Sequence, residues 1–335
     1  MGQWASIQCL RALAALAVVV YHSAIFIQGS LEASALETIG AAGVDLFFII
    51  SGLVMWISTS DTRDPRTFLK RRILRIVPLY YFMTAGFILL LLSRSQSPLL
   101  SDIMGSLLFI PFTNSITNEV GPILLVGWSL NYEMFFYLIF AMALLIPRRF
   151  RLVAISGILM ALIPLRLIAG ENVQLHFLSS PMWMEFIAGM MIGWVVERFR
   201  LPSPSIGALL LIVGTGILIS IQLATPGLPR TLTFGVPCAL IVLGSVMMEP
   251  WFVQPSSATK ALSALGDASY SLYLSHTLFM EMAKGMTSPW PWPVQLIVYF
   301  GGSIVVGMTA HRLVEVPLQR LFHQRPAPAA AVAGS

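Results

Sequence analysis

Residues 12–31 read ALAALAVVVYHSAIFIQGSL, a run of 20 without one Asp, Glu, Lys or Arg. About 20 mostly apolar residues are what an α-helix needs to cross a bilayer. The run does not resemble a cleaved signal. A signal has its charge first and a short apolar region next, whereas here Arg11 follows ten mostly uncharged residues and a polar His lies inside the run. Working outward, nine further stretches read the same way: 38–58, 76–93, 128–146, 152–169, 181–196, one within 201–229, 231–248, 268–285 and one within 293–311. The apolar piece 103–112 is too short to span and stops at Pro111, so it is expected to be an interfacial or re-entrant part of a loop.

Composition agrees with this reading. The chain has 335 residues, 57% hydrophobic and 10% charged, with a mean hydropathy of +0.82. A soluble domain is about 25% charged. The deficit excludes a cytosolic enzyme, a nucleic-acid module and a disordered chain. The expectation is an all-α polytopic membrane bundle of about ten helices. One integral domain covers residues 1–325, and a low-complexity tail follows at 326–335. Orientation follows from Lys and Arg. With the N-terminus inside, sixteen of these residues fall on the cytoplasmic side and three (Arg94, Arg230 and Lys284) outside, while Arg166 lies within a span. Both termini are therefore expected in the cytoplasm. Cys9 and Cys238 sit far apart in apolar stretches and build neither a disulfide framework nor a metal cluster.

Ionisable residues inside spans are costly and point to function, or to a helix–helix pair that sets packing. Arg11 and His22 are eleven residues apart, three helical turns plus about 20°, so they share a face with about 16 Å between them. His22 is then placed towards the outer side. Asp45, Glu133, Glu185 and Arg166 are expected at the same depth. A His beside carboxylates has a fixed tautomer and can act as a general base, with Asp45 or Glu133 as its orienting partner. His276, mid-span, reads as either packing or part of the site. Lys70, Arg71, Arg72 and Arg75 form a second, basic layer. The positive-inside rule accounts for some of them, but Arg71/Arg75 and Arg72/Arg75 share a helix face and guanidinium forks suit phosphate oxygens. The chain has no Walker loop and no G-x-G-x-x-G, which disfavours a nucleotide triphosphatase. Trp128, Tyr132 and Tyr137 read as interfacial belt residues.

Taken together, these residues resemble the bacterial membrane acyltransferase family 3, integral O-acyltransferases that modify polysaccharides. The resemblance rests on RALAALAVVVYH (Arg11 to His22), GVDLFFIISG (Gly43 to Gly52), RRILRIVPLYY (Arg71 to Tyr81), WSLNYEMFFY (Trp128 to Tyr137), SYSLYLSH (Ser269 to His276) and EVP at Glu315. It covers about residues 5–322, and the short length is similar to that of members acetylating exopolysaccharides. The resemblance implies a ten-helix bundle in the bacterial inner membrane. It further implies an acyl-CoA donor, acetyl-CoA, and transfer to a hydroxyl of a lipid-linked or exported glycan, with no metal and no nucleic-acid partner. Arg11, Arg71, Arg72 and Arg75 would hold the donor, and His22 would activate the hydroxyl or carry the acyl group. The alternative is a glycan or lipid transporter whose buried charges line a pathway.

Overall fold

A computed structural model describes residues 4–27, 40–60, 63–199, 203–224 and 228–322. The expected tail at 326–335 lies outside them. Among the described residues the secondary structure is helical, with loops between the helices and one isolated antiparallel bridge, Thr113 to Val120. The helices are α1 (Ala5–Phe26), α2 (Ala42–Ser58), α3 (Pro65–Ser93), α4 (Leu100–Leu107), α5 (Trp128–Ala143), α6 (Arg148–Leu162) and α7 (Val173–Leu178). They continue with α8 (Trp183–Arg198), α9 (Pro204–Ala224), α10 (Val236–Met247), α11 (Ser257–Asp267), α12 (Ser269–Thr287), α13 (Trp292–Ala310) and α14 (Val316–Phe322).

Each of the ten apolar stretches expected from the sequence holds a helix. Among the described residues, six helical stretches are long and apolar enough to cross a membrane: Ala5–Phe26, Pro65–Ser93, Leu125–Ala143, Arg148–Ile168, Pro204–Ile221 and Trp292–Leu321. Ala42–Ser58 and Thr231–Met247 are shorter apolar helices. The two remaining, α8 and α12, have 16 and 19 residues and carry Glu185 and His276. The piece expected to be interfacial becomes α4 followed by a loop. Its buried Asp102 accepts from the Ser115 amide at 3.0 Å and from the Ser115 hydroxyl.

Local chemistry sets the helix ends. At α3, Asp64 caps the Arg66 and Thr67 amides at 3.0 and 3.3 Å, and Pro65 occupies the first turn. Its carboxyl is held below the usual range by the Thr67 hydroxyl and the Arg66 amide. At α1 the cap comes from a distant residue. Glu249 accepts from the Ala5 and Ser6 amides at 2.9 Å each, placing negative charge on the helix N-terminus. Buried Arg151 donates to the carbonyls of Leu144, Ile146 and Thr59, closing the C-terminal ends of α5 and α2 together.

The packing places the site. α2 lies closely along α8, α9 along α10, and α12 along α13, while α1 touches α2, α11, α12 and α13. α1 and α5 are the most enclosed of the long apolar helices; α6 and α9 stand at the rim. Rim side chains such as Leu145, Val153, Ile212, Ile297 and Val305 are exposed, as expected of a surface solvated by lipid rather than water.

Candidate functional site

Arg11 and His22 both meet α12. Arg11 donates to Gln8 Oε1 at 3.1 Å and to Ser269 Oγ at 3.0 Å. Eleven residues on, His22 Nδ1 lies 3.0 Å from the Val18 carbonyl and 3.1 Å from His276 Nε2. The two imidazole centroids are 4.8 Å apart, inclined at 61°. Contacts at Ser269 and His276 mean that α1 and α12 run in the same direction. His276 is fully buried, and its Nδ1 lies 3.1 Å from the Leu272 carbonyl. The neighbours of His22 Nδ1 are thus another histidine and the carbonyl one turn back.

Asp45 and Glu133 are not among those neighbours. Fully buried Asp45 accepts from Arg230 at 2.6 Å, and buried Glu185 lies within reach of the same carboxylate. Oδ1 of Asp45 and both carboxylate oxygens of Glu185 accept from no other described residue, which leaves the two carboxyls to each other. Glu133 Oε1 accepts from Ser51 Oγ at 3.2 Å and from the Tyr137 hydroxyl. The single layer of ionisable groups expected from depth therefore splits in three: the histidine pair, the Asp45–Arg230–Glu185 group, and Glu133 in the wall of a cavity. Arg166 belongs to none of these; it bonds His176 in an exposed position. Depth along separate helices gives height but not azimuth, so groups at one level can face different neighbours.

The four basic residues do converge. Arg11, Arg71, Arg72 and Arg75 line one cavity of about 510 Å³ with Asp267, His311, Glu315 and Gln319. Glu315 is already engaged, accepting from Ser271 Oγ at 2.6 Å, His311 Nδ1 at 2.7 Å and Gln319 Nε2 at 3.0 Å. A second, narrower cavity of about 130 Å³ shares Arg11, Arg72 and Arg75. Its walls include Phe47, Ser51, Glu133, Tyr137, Ser269 and Tyr273. Arg72 lies 5.7 Å from the Tyr137 ring centre and 5.8 Å from that of Phe68, a cation–π placement that steers the guanidinium. Tyr137 is thus an interior wall residue, although the sequence read it as interfacial. Tyr273, in the same wall, donates to the Val126 carbonyl at 2.7 Å. Its ring centre is 6.1 Å from that of His276. The two cavities, a basic bowl and a narrower passage, thus share three arginines, and Tyr273 joins the wall of the smaller one to the histidine pair, which itself lines neither cavity.

Of the residues these groups add, Arg230 is not legible in the sequence and His276 is in part. Arg230 read as an outer loop charge, and nothing in the sequence couples it to a residue 185 positions away. His276 carried a signal, since SYSLYLSH puts Ser269, Tyr273 and His276 on one helix face at spacings of four and three.

An acyltransferase domain, that of acyltransferase family 3, matches residues 4–312. The exopolysaccharide production protein ExoZ of Rhizobium meliloti (strain 1021) is 35% identical over 295 residues, covering 84% of this chain and 90% of ExoZ. The acyltransferase MdmB of Streptomyces mycarofaciens is 25% identical over 365 positions, covering 96% of this chain and 92% of MdmB. No solved structure matches the chain. With the family match taking in the four arginines, the smaller cavity and the histidine pair, this chain belongs to the acyltransferase 3 family.

Proposed function

We propose that this membrane acyltransferase transfers acetyl from cytoplasmic acetyl-CoA to a hydroxyl of a lipid-linked or exported exopolysaccharide sugar. The reading includes ten crossings of a bacterial inner membrane with both termini in the cytoplasm. The observation that carries it is the gathering of Arg11, Arg71, Arg72 and Arg75 around one cavity, three of them also lining the narrower one. Four guanidinium groups match the phosphates of a polyanionic donor. A passage walled by Phe47, Phe48, Val54 and Ile76 and studded with the hydroxyls of Ser51, Ser129 and Tyr273 suits a thin arm that carries both methylene and amide groups. The acyl thioester, when bound, supplies an activated carbonyl. The exopolysaccharide acceptor is favoured by the similarity to ExoZ.

In this reading the chain does three things. The bowl binds the phosphates, and the passage aligns the arm and keeps water from the thioester. His22 Nε2 takes the proton from the sugar hydroxyl as its oxygen attacks the thioester carbonyl, and hands it to the CoA sulfur, which leaves as the thiol when the carbon–sulfur bond breaks. Glu133 orients wall hydroxyls through Ser51 and Tyr137, and Asp45 ties α2 to Arg230 without touching substrate.

Membrane vesicles given labelled acetyl-CoA and polysaccharide are expected to yield labelled glycan. Mass spectrometry of the glycan is expected to show one added acetyl group. A protein that only moves glycan would transport it unmodified without any donor, which would overturn the reading. His22→Ala is expected to lower transfer by about 10²- to 10⁴-fold at normal expression, the usual contribution of a general base.

A further inference from the structure

We propose that His276 is a positioning residue for His22, doing with a neutral imidazole what a carboxylate does in other base–orienter pairs. The argument rests on which atoms can donate. Carbonyl oxygens only accept. His276 Nδ1 lies 3.1 Å from the Leu272 carbonyl, so its hydrogen sits on Nδ1. The Nε2 of a neutral His276 then carries a lone pair, aimed at His22 Nδ1 3.1 Å away. His22 Nδ1 also lies 3.0 Å from the Val18 carbonyl, so it too carries its hydrogen and shares it between Val18 and His276. Were His276 an imidazolium, two N–H groups would face each other at 3.1 Å, which the geometry disfavours.

The consequence falls on the fourth nitrogen. With its hydrogen on Nδ1, His22 presents Nε2 as a bare lone pair, and among the described residues no hydrogen-bond donor occupies it. A base needs this tautomer. Val18 alone would leave the ring free to swing about its own side chain. His276, fully buried and tied to Leu272, holds the ring from the opposite helix. It also leans on the Nδ1 hydrogen as positive charge develops on His22. Two histidines kept only for packing would satisfy the same contacts; the kcat of His276→Leu separates the two cases.

That His22 acts as a base rests on the acyltransferase reading; the tautomer does not. The test is therefore in two parts. The first is solid-state ¹⁵N spectroscopy of the full-length protein in membranes with labelled histidine, the His22 signals being assigned by their loss in His22→Gln. The expected result is a protonated Nδ1 and an unprotonated Nε2 on His22. In His276→Leu the expected result is a mixture of tautomers, and in His276→Gln, whose amide oxygen can accept in place of Nε2, a return to the native pattern. The second part is kinetic. His276→Leu is expected to lower kcat by roughly 10²-fold with KM for acetyl-CoA unchanged, because the bowl is untouched, and His276→Gln is expected to recover most of kcat. A protonated Nε2 on native His22 would overturn the proposal. So would a His276→Leu protein with native tautomer and native kcat, or a His276→Gln protein as impaired as His276→Leu. If His276→Leu does not fold, the native spectrum and His276→Gln still decide. If the native protein transfers no acetyl group, the function reading fails while the spectra still judge the pairing.

Discussion

Arg230 donates to Asp45 at 2.6 Å, and the carboxylate it reaches is wholly buried. Removing one partner of such a pair leaves a charge in a low-dielectric site, which costs about 3–5 kcal/mol, whereas removing both is far milder. Arg230→Ala is therefore expected to lower the thermal midpoint of the solubilised protein sharply, and Asp45→Asn combined with Arg230→Gln to restore much of it. Equal loss in the single and double variants would mean that the pair is not the cause. The basic bowl makes a different residue-scale prediction. Arg71 lines the wide cavity and not the passage. Arg71→Ala is expected to raise KM for acetyl-CoA about tenfold, the 1.4 kcal/mol scale of one charge-assisted contact, and to leave kcat nearly unchanged. A fall in kcat at constant KM would move Arg71 out of the donor site.

At the scale of elements, close approach of helix backbones places the site. A methyl group added at Gly189 would lie 2.0 Å from the Ile49 carbonyl oxygen, and one at Gly52 would lie 2.2 Å from that of Phe186. α2 and α8 therefore cross backbone to backbone. That contact brings Asp45 on α2 to Glu185 on α8, and leaves Ser51 free to turn towards Glu133. Small residues are the usual means of such contact between membrane helices, where apolar burial supplies little drive. Gly189→Ala is expected to destabilise by about 1–3 kcal/mol through overpacking, read as a lower melting midpoint. An unchanged midpoint would show that the helices have room. The same element logic explains a misreading. Glu133 and Asp45 sit at similar distances from the ends of their own helices, yet α5 turns Glu133 towards Arg72 and Tyr137 while α2 turns Asp45 away to Arg230.

At the scale of the whole molecule the arrangement is vectorial. Arg11 and His22 lie along one helix, with the bowl near the first and His276 against the second. α3, a helix of 29 residues, carries Arg66 at one end and leads to exposed Gln96 beyond the other. At 1.5 Å per residue such a helix is about 43 Å long, enough to cross a bilayer. In a background with Cys9 and Cys238 replaced by Ser, a membrane-impermeant maleimide is expected to label Gln96→Cys in intact spheroplasts. Arg66→Cys is expected to react only after permeabilisation. The reverse pattern would place the bowl outside and separate it from any cytoplasmic donor.

The apolar runs, the asymmetry of Lys and Arg and the spacing of Arg11 to His22 are properties of single segments. Hydropathy, charge and the helical repeat act locally, so the helices, the shared face on α1 and the cluster on α3 were readable from the amino acids alone. The partners were not. Whether His22 meets Asp45, Glu133 or His276 depends on how helices far apart in the chain rotate against one another. That rotation is decided by contacts such as Gly189 on Ile49 and by pairs such as Arg230 with Asp45. Distance along a helix is written in the sequence; the direction each helix faces is a property of the packed bundle.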